Sequence, residues 1–434
     1  MEYHKQSHEK KSQTKLLQVI KLSSTYFFKQ KGRPKISILA DLGLRIIGVA
    51  IYPATYLLLL CVSLFYPVKV GFLYRERLGH LALNTDLYLR RRHLGLIDRK
   101  GLSIFFVYKP SNRQLVNMFS RVMLVVNSEF LSKILSPLSI FKSRFYIPLP
   151  FEGNEYLEFN ATPPQITFTD DEKRKGRAFL KTLGISEADW YVCIFSRDHA
   201  YYRLSSPNTD VSFSEHRNAD IDTFESAVKL VAENGGWIFR MGSHVEKPLG
   251  FQHPRLVDYA VNNRDDFLDI YITAHAKFFV GTTSGASDLA VVFNVPFVGV
   301  NYVPVGCAPI GKDSIYIPKR IIDNNSGDQV PMRKQFDSFP GNQVNAAIIP
   351  EDVLKENHWS FRDNTSEEIR DAVAEMLERL DGRFVSDDAY MLTCARYDQI
   401  RPKDNFHRPN KSPIARSMLY SLNLSANDKE KTNE

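Results

Sequence analysis

The residues best placed for chemistry follow short apolar runs. Arg197 and Asp198 follow YVCIFS at 191–196, and Arg240, Met241, Gly242, Ser243 and His244 follow WIF at 237–239. A turn of small and hydroxylic residues, GTTSGAS at 281–287, follows KFFV at 277–280. If those runs are strands of one parallel sheet, the residues after them line its carboxyl edge, where ligands bind. Two guanidiniums and a helix start on one edge would neutralise a diphosphate, because planar forks match phosphate oxygens and unpaired N–H groups favour anions. In that turn Thr283, Ser284 and Gly285 are the candidates, glycine admitting a ligand close to the main chain. Each candidate also has a structural alternative. The turn can be a packing turn, Arg197 can pair with Asp198, and Arg240 can pair with a nearby carboxylate.

Further candidates are weaker singly. Arg217 and Asn218 lie in a polar loop before an amphipathic segment, where Arg217 is another cation for phosphate and Asn218 or Asp220 is a helix cap. Asp269 lies on a helix-like run where a solvated carboxylate is equally expected, and Asp258 closes a strand, facing a ribose hydroxyl or bracing a loop. Transfer chemistry would need a base, for which His80 and Asp198 are the candidates; Asn84 and Asp86 follow His80 by about one turn. Lys319 and Arg320 follow a strand and would close over phosphate or meet anionic lipid. Asp265 and Asp266 open a helix, where acids are favoured anyway. No acidic pair of the DxD kind stands at a strand end, so no metal site and no cofactor is expected. The four cysteines, Cys61, Cys193, Cys307 and Cys394, lack CxxC spacing. GxGxxG, P-loop, GxSxG and HExxH patterns are absent, which speaks against dehydrogenase, NTPase, hydrolase and zincin chemistry.

The elements that must position these residues alternate between strand and helix. Strands at 68–74, 104–108 and 122–126 form a small α/β unit over residues 67–165, closed by a proline cluster. A charged linker helix occupies 166–188. The second unit, 189–380, holds strands at 191–196, 237–240, 256–259, 277–280 and 295–300, with helices at 221–234 and 264–275. Thr365 and Glu368 make a capping box for a helix over 366–380. Residues 381–434 read as a return segment ending in a loose tail after Asn405.

The net charge of +7 belongs to the first 45 residues, which hold ten Lys/Arg against Glu2, Glu9 and Asp41. The remainder is neutral overall, so no nucleic-acid footprint is expected. The basic segment precedes 21 uncharged residues at 46–66, long enough to span a bilayer. A cleaved signal does not fit, since Lys69, Arg75 and Arg77 follow without a small-residue cleavage site. A monotopic or re-entrant membrane helix, a true span and a buried core helix remain as readings.

Three segments, CIFSRDHAYY at 193–202, HRNADIDTFESAVKLVAENGGWIFRMG at 216–242 and DFLDIYITAHAKFFVGTTSGASDLAVVFNVP at 266–296, resemble a bacterial family of glycosyltransferases encoded among surface-polysaccharide genes. More distantly they are similar to fucosyltransferases with two Rossmann-like domains. The resemblance implies an α/β, GT-B-like fold, two Rossmann-like domains facing a cleft, to which the apolar run at 46–66 adds an N-terminal membrane-associated helix. It implies a nucleotide-sugar donor and a glycan or lipid-linked glycan acceptor, handled at the cytoplasmic face of the bacterial inner membrane, with residues 1–66 on the membrane surface. Arg197 would hold phosphate, Asp269 would read the base, and Ser284 with Gly285 would form the phosphate turn. Phe195 stands where those enzymes carry a base-contacting histidine, so guanine is not implied. An epimerase of nucleotide sugars and an inactive nucleotide-sugar-binding scaffold are the alternatives.

Overall fold

The computed structural model describes residues 35–98, 100–200, 203, 212–262, 264–339 and 351–424. Most of the basic N-terminal segment and the last ten residues lie outside them. Two parallel α/β sheets organise the chain. The first has the order β3-β2-β1-β4, with β1 Val68–Phe72, β2 Leu102–Val107, β3 Leu124–Asn127 and β4 Tyr146–Ile147. The second has the order β10-β9-β8-β5-β6-β7, with β5 Tyr191–Phe195, β6 Trp237–Arg240, β7 Leu256–Val257, β8 Phe278–Gly281, β9 Phe297–Tyr302 and β10 Ile315–Pro318. All strand pairs in both sheets are parallel, so each sheet carries one carboxyl edge. The architecture is the GT-B-like arrangement of two Rossmann-like units. A short antiparallel pair, β11 Arg320–Asp323 with β12 Trp359–Arg362, extends the second unit.

Near-continuous apolar strands such as YVCIF and FFVG are buried on both faces, as parallel sheets require. The second unit therefore has two cores. One lies against helices Glu225–Glu233 and Ser366–Leu380, the other against helix Asp266–Ala274. The first unit's core does not stop at its own boundary. Leu81, Leu87, Phe105 and Leu115 share one apolar cluster with Ile270, Leu289, Val291 and Val292 of the second unit.

That shared cluster is a helix pair. Helix Leu78–His93, after β1, packs along helix Gly285–Val292, after β8. At their starts Gly79 meets Gly285: a Cβ on Gly285 would lie 2.8 Å from Gly79 N, and one on Gly79 would collide with Asp288 Oδ2. At their far ends Arg90, fully buried, donates to Val292 O at 2.9 Å and Asn294 Oδ1 at 3.0 Å. Arg90 also bonds Asp86, Phe159 O and Thr162 O. The helices thus run side by side in the same direction. Because each begins at the carboxyl edge of its sheet, the two edges open on the same side of the molecule.

Helix Lys35–Phe65 covers the outer face of the first sheet along one stripe and leaves its opposite face exposed. A buried core helix is therefore not what the apolar run forms.

The loose tail expected after Asn405 is corrected as far as residue 424. Ile414 bridges to Tyr316 beside β10, helix Arg416–Ser421 follows, and Met418, Leu419 and Leu422 enter the core. Asn410 Nδ2 bonds both Ala308 O and Gly153 O, strapping this segment to the first unit. Its apolar residues are too sparse among Ser, Asn and Lys to stand out as an element.

Candidate functional site

Strand β5 delivers Arg197 to the carboxyl edge, where it is buried. Its backbone N–H donates to Thr282 Oγ1 at 2.9 Å, fastening the β5 end to the β8 end. Its guanidinium donates to Asn218 Oδ1, not to Asp198. Asn218 is not the helix cap; Asp220 takes that role by accepting from Asp222 N. Asn218 is thereby left to join three groups. Beside Arg197 its side-chain Nδ2 meets His199 Nε2 at 2.8 Å, and its main-chain carbonyl accepts from Lys319 Nζ at 2.7 Å. Lys319 is buried at the end of β10 and also pairs with Asp363 at 2.6 Å; its burial lowers its pKa, the Asp363 pair opposing. A concavity at the ends of β9 and β10, lined by Tyr302, Val303, Pro318, Lys319 and Phe361, adjoins it.

Arg217 reaches the small-residue turn, donating to Thr283 O at 2.8 Å and Thr283 Oγ1 at 3.3 Å. The turn's own polar atoms are largely committed. Ser284 and Ser287 form a reciprocal cap, Ser284 Oγ accepting from Ser287 N at 3.2 Å and Ser287 Oγ accepting from Ser284 N at 3.0 Å. Of the four N–H groups that a helix start leaves over, Gly285 and Ala286 retain theirs. The close approach that Gly285 permits is made by the backbone of Gly79, which corrects the expectation that a ligand needs the space.

One further group faces this junction. Asp288, in the first turn of helix Gly285–Val292, lies against Gly79, and burial pushes its carboxyl up to about 7 against the pull of Arg217. His80 follows Gly79 at the solvent rim, its Nδ1 3.3 Å from Asn84 Oδ1 and its ring beside Tyr74. Partial burial of the ring lowers its pKa, the Asn84 contact opposing.

The remaining sequence candidates brace the scaffold. Asp198 Oδ1 accepts from Ala200 N and Oδ2 from Glu246 N, each at 2.9 Å, which ties the β5 loop to the β6 loop. Arg240 is buried and spent on Asp258 at 3.1 Å and Lys247 O at 2.9 Å, the structural alternative for that residue. Gly242, at φ 153°, turns the same loop beside Val245. Asp269 is buried rather than solvated: it accepts from Tyr259 Oη at 2.8 Å and pairs with Arg264 at 3.1 Å, and burial lifts its carboxyl to about 6. Arg320 is held by Glu368 and Gln329. Asp265 caps helix Asp266–Ala274.

The gathered set is therefore Arg197, Arg217, Asn218, Thr283 and Lys319, with Ser284, Gly285 and His80 at its border. His199 and Asp288 join it and were not singled out from sequence. His199 had a signal, two residues beyond Arg197. Asp288 had none of its own, since an acid in a first helical turn is ordinary.

No family model matches the chain, and no curated protein matches it. Among solved structures it is similar to the E. coli ADP-heptose lps heptosyltransferase II at 12% identity and a TM-score of 0.38, over 58% of this chain and 90% of that one. It is similar to a glycosyl transferase family 9 protein from Veillonella parvula at 10% identity and a TM-score of 0.38, over 67% and 95%. To the dodecameric iron-containing heptosyltransferase TibC in complex with ADP-D-beta-D-heptose, of E. coli, it is similar at 10% identity and a TM-score of 0.36, over 73% and 77%.

Proposed function

We propose that the protein is a glycosyltransferase that moves a sugar from a nucleoside diphosphate donor to a surface glycan, at the cytoplasmic face of the bacterial inner membrane. One observation carries this reading. Arg197, Arg217, Lys319 and His199 gather at the carboxyl ends of β5, β8 and β10, beside the point where the first helix of the other unit begins. A diphosphate there would sit among cations and the N–H groups of Gly285 and Ala286, with the second unit holding the donor. Those groups stabilise the leaving diphosphate without a metal, because they are already ordered before charge develops. The acceptor hydroxyl enters from the first unit past His80, which orients it. Asp288 takes its proton: it lies on the junction of both units and its carboxyl titrates near working pH.

A thermal-shift screen with UDP, GDP, CMP, dTDP and ADP sugars tests the donor. Stabilisation by one nucleoside diphosphate sugar, unchanged by EDTA, is the expected result; no stabilisation by any of them would remove the reading. Release of free nucleoside diphosphate only when glycan acceptor is supplied separates transfer from epimerisation and from an inactive scaffold.

The base assignment has a pH signature. Asp288 is protonated below about 7 and ionised above it. Turnover should therefore rise about tenfold per pH unit up to about 7 and level off beyond. Asp288→Asn should abolish that rising limb along with most of the rate; a variant that keeps both would assign the base elsewhere.

A further inference from the structure

We infer that helix Lys35–Phe65 is an in-plane membrane helix, seated sideways in one leaflet of an anionic bilayer while its other side holds the first α/β unit. The inference rests on the membrane-face location proposed for the enzyme and specifies how that surface is engaged.

The docked stripe is regular. Asp41 pairs with Lys133 at 2.7 Å, Gly48 lies against Ile134 O, Tyr52 meets the Phe141 ring at 4.9 Å, Tyr56 meets the Phe145 ring at 5.2 Å, and Leu59 packs on the Val70, Phe106 and Leu138 cluster. From residue 41 to residue 59 an α-helix advances about 27 Å, nearly the ~30 Å thickness of a bilayer's hydrocarbon core. A helix fastened over that length to a water-soluble sheet cannot stand upright in the membrane alone. An upright pose would carry Glu129, Lys133, Lys142 and Arg144 into hydrocarbon, since all lie on segments touching the stripe.

The opposite face is suited to lipid. Ile46, Ile47, Ile51, Leu57, Leu58 and Val62 are exposed, followed by Leu64 and by Phe65 at 90%. The stretch Asp41–Phe65 is strongly apolar, yet Gly48 is its one fully buried residue. No charge interrupts it between Arg45 and Tyr66. Charge complementarity selects an anionic surface. Lys69, Lys142 and Arg144 are exposed beside the helix, and the first 45 residues add their cationic excess at its start. An apolar face bordered by cations is the pattern of a helix lying in the headgroup boundary.

The test uses the full-length protein and vesicles of phosphatidylcholine with or without phosphatidylglycerol. Flotation with the anionic vesicles, weakened by salt, is expected. Leu57→Glu combined with Leu58→Glu should cut partitioning by at least about tenfold. Both side chains are exposed, so the unfolding transition and nucleotide binding should not change. Those two readouts separate failure of this inference from failure of the donor site. Depth is read from single tryptophans at Ile47→Trp, Leu58→Trp and Phe65→Trp, positions on one exposed helix face, quenched by lipids brominated at shallow or deep carbons. The native tryptophans, Trp190, Trp237 and Trp359, lie in the second unit and give a constant background. Equal, shallow quenching at all three sites supports the in-plane pose. Depth graded along the helix would overturn it in favour of a span. Absent flotation, with a dimer that Leu57→Glu and Leu58→Glu dissolve, would overturn it in favour of a self-interface.

Discussion

Arg90→Met should cost about 3–5 kcal/mol of unfolding free energy in urea titrations, the size found when one member of a buried ion pair is removed. Arg90 and Asp86 are both fully buried, 2.5 Å apart, and the guanidinium also serves three carbonyls from two separate segments. Methionine fills most of the volume but satisfies none of them. It leaves Asp86, whose carboxyl burial already lifts to about 6 against the pull of Arg90, without its cation. Replacing both members, Arg90→Met with Asp86→Leu, should recover a large part of the loss, because the uncompensated charge is then gone. A loss below about 1 kcal/mol for Arg90→Met would show that this junction is not what joins the units.

The second large effect is expected at Arg217→Ala, which should weaken nucleoside diphosphate binding by about 1.5–3 kcal/mol, the usual worth of a charge-assisted contact. Isothermal titration with the nucleotide chosen by the thermal screen reads this as roughly a tenfold to 150-fold rise in Kd. The same substitution carries a second signature. Arg217 opposes the upward push of burial on Asp288, so its removal should move the rising limb of the pH profile to higher pH. Weaker binding with an unmoved limb would place Arg217 on phosphate but separate it from the proton transfer.

Local chemistry was legible wherever it resides in neighbouring residues. The capping box at Thr365 with Glu368 marks a real helix start, and YVCIF, WIFR and FFVG are the strands their composition suggests. What escaped was set by partners far along the chain. Asn218 could be read as a cap because caps are local, whereas its ties to Arg197 and Lys319 come from positions just beyond strands, 21 and 101 residues away. Arg240 and Arg197 look alike in sequence, both at a strand end and both buried; distant partners, Asp258 for one and Asn218 for the other, set them apart. Gly285 fits equally a ligand or another backbone, and the choice belongs to Gly79, in the other unit.

The contact between those two glycines has a consequence for recombining the molecule. Donor and acceptor units of enzymes with paired Rossmann-like folds invite exchange as modules, each folding around its own core. Here the junction admits no side chain at one end and matches a single guanidinium to Val292 and Asn294 at the other. A chimera that brings in a foreign first unit must therefore import glycine at the helix start and arginine eleven positions on, or redesign helix Gly285–Val292 to suit. The concavity beside Lys319 is lined by residues between Tyr302 and Leu422 and by none of the first unit, so such an exchange leaves its walls unchanged.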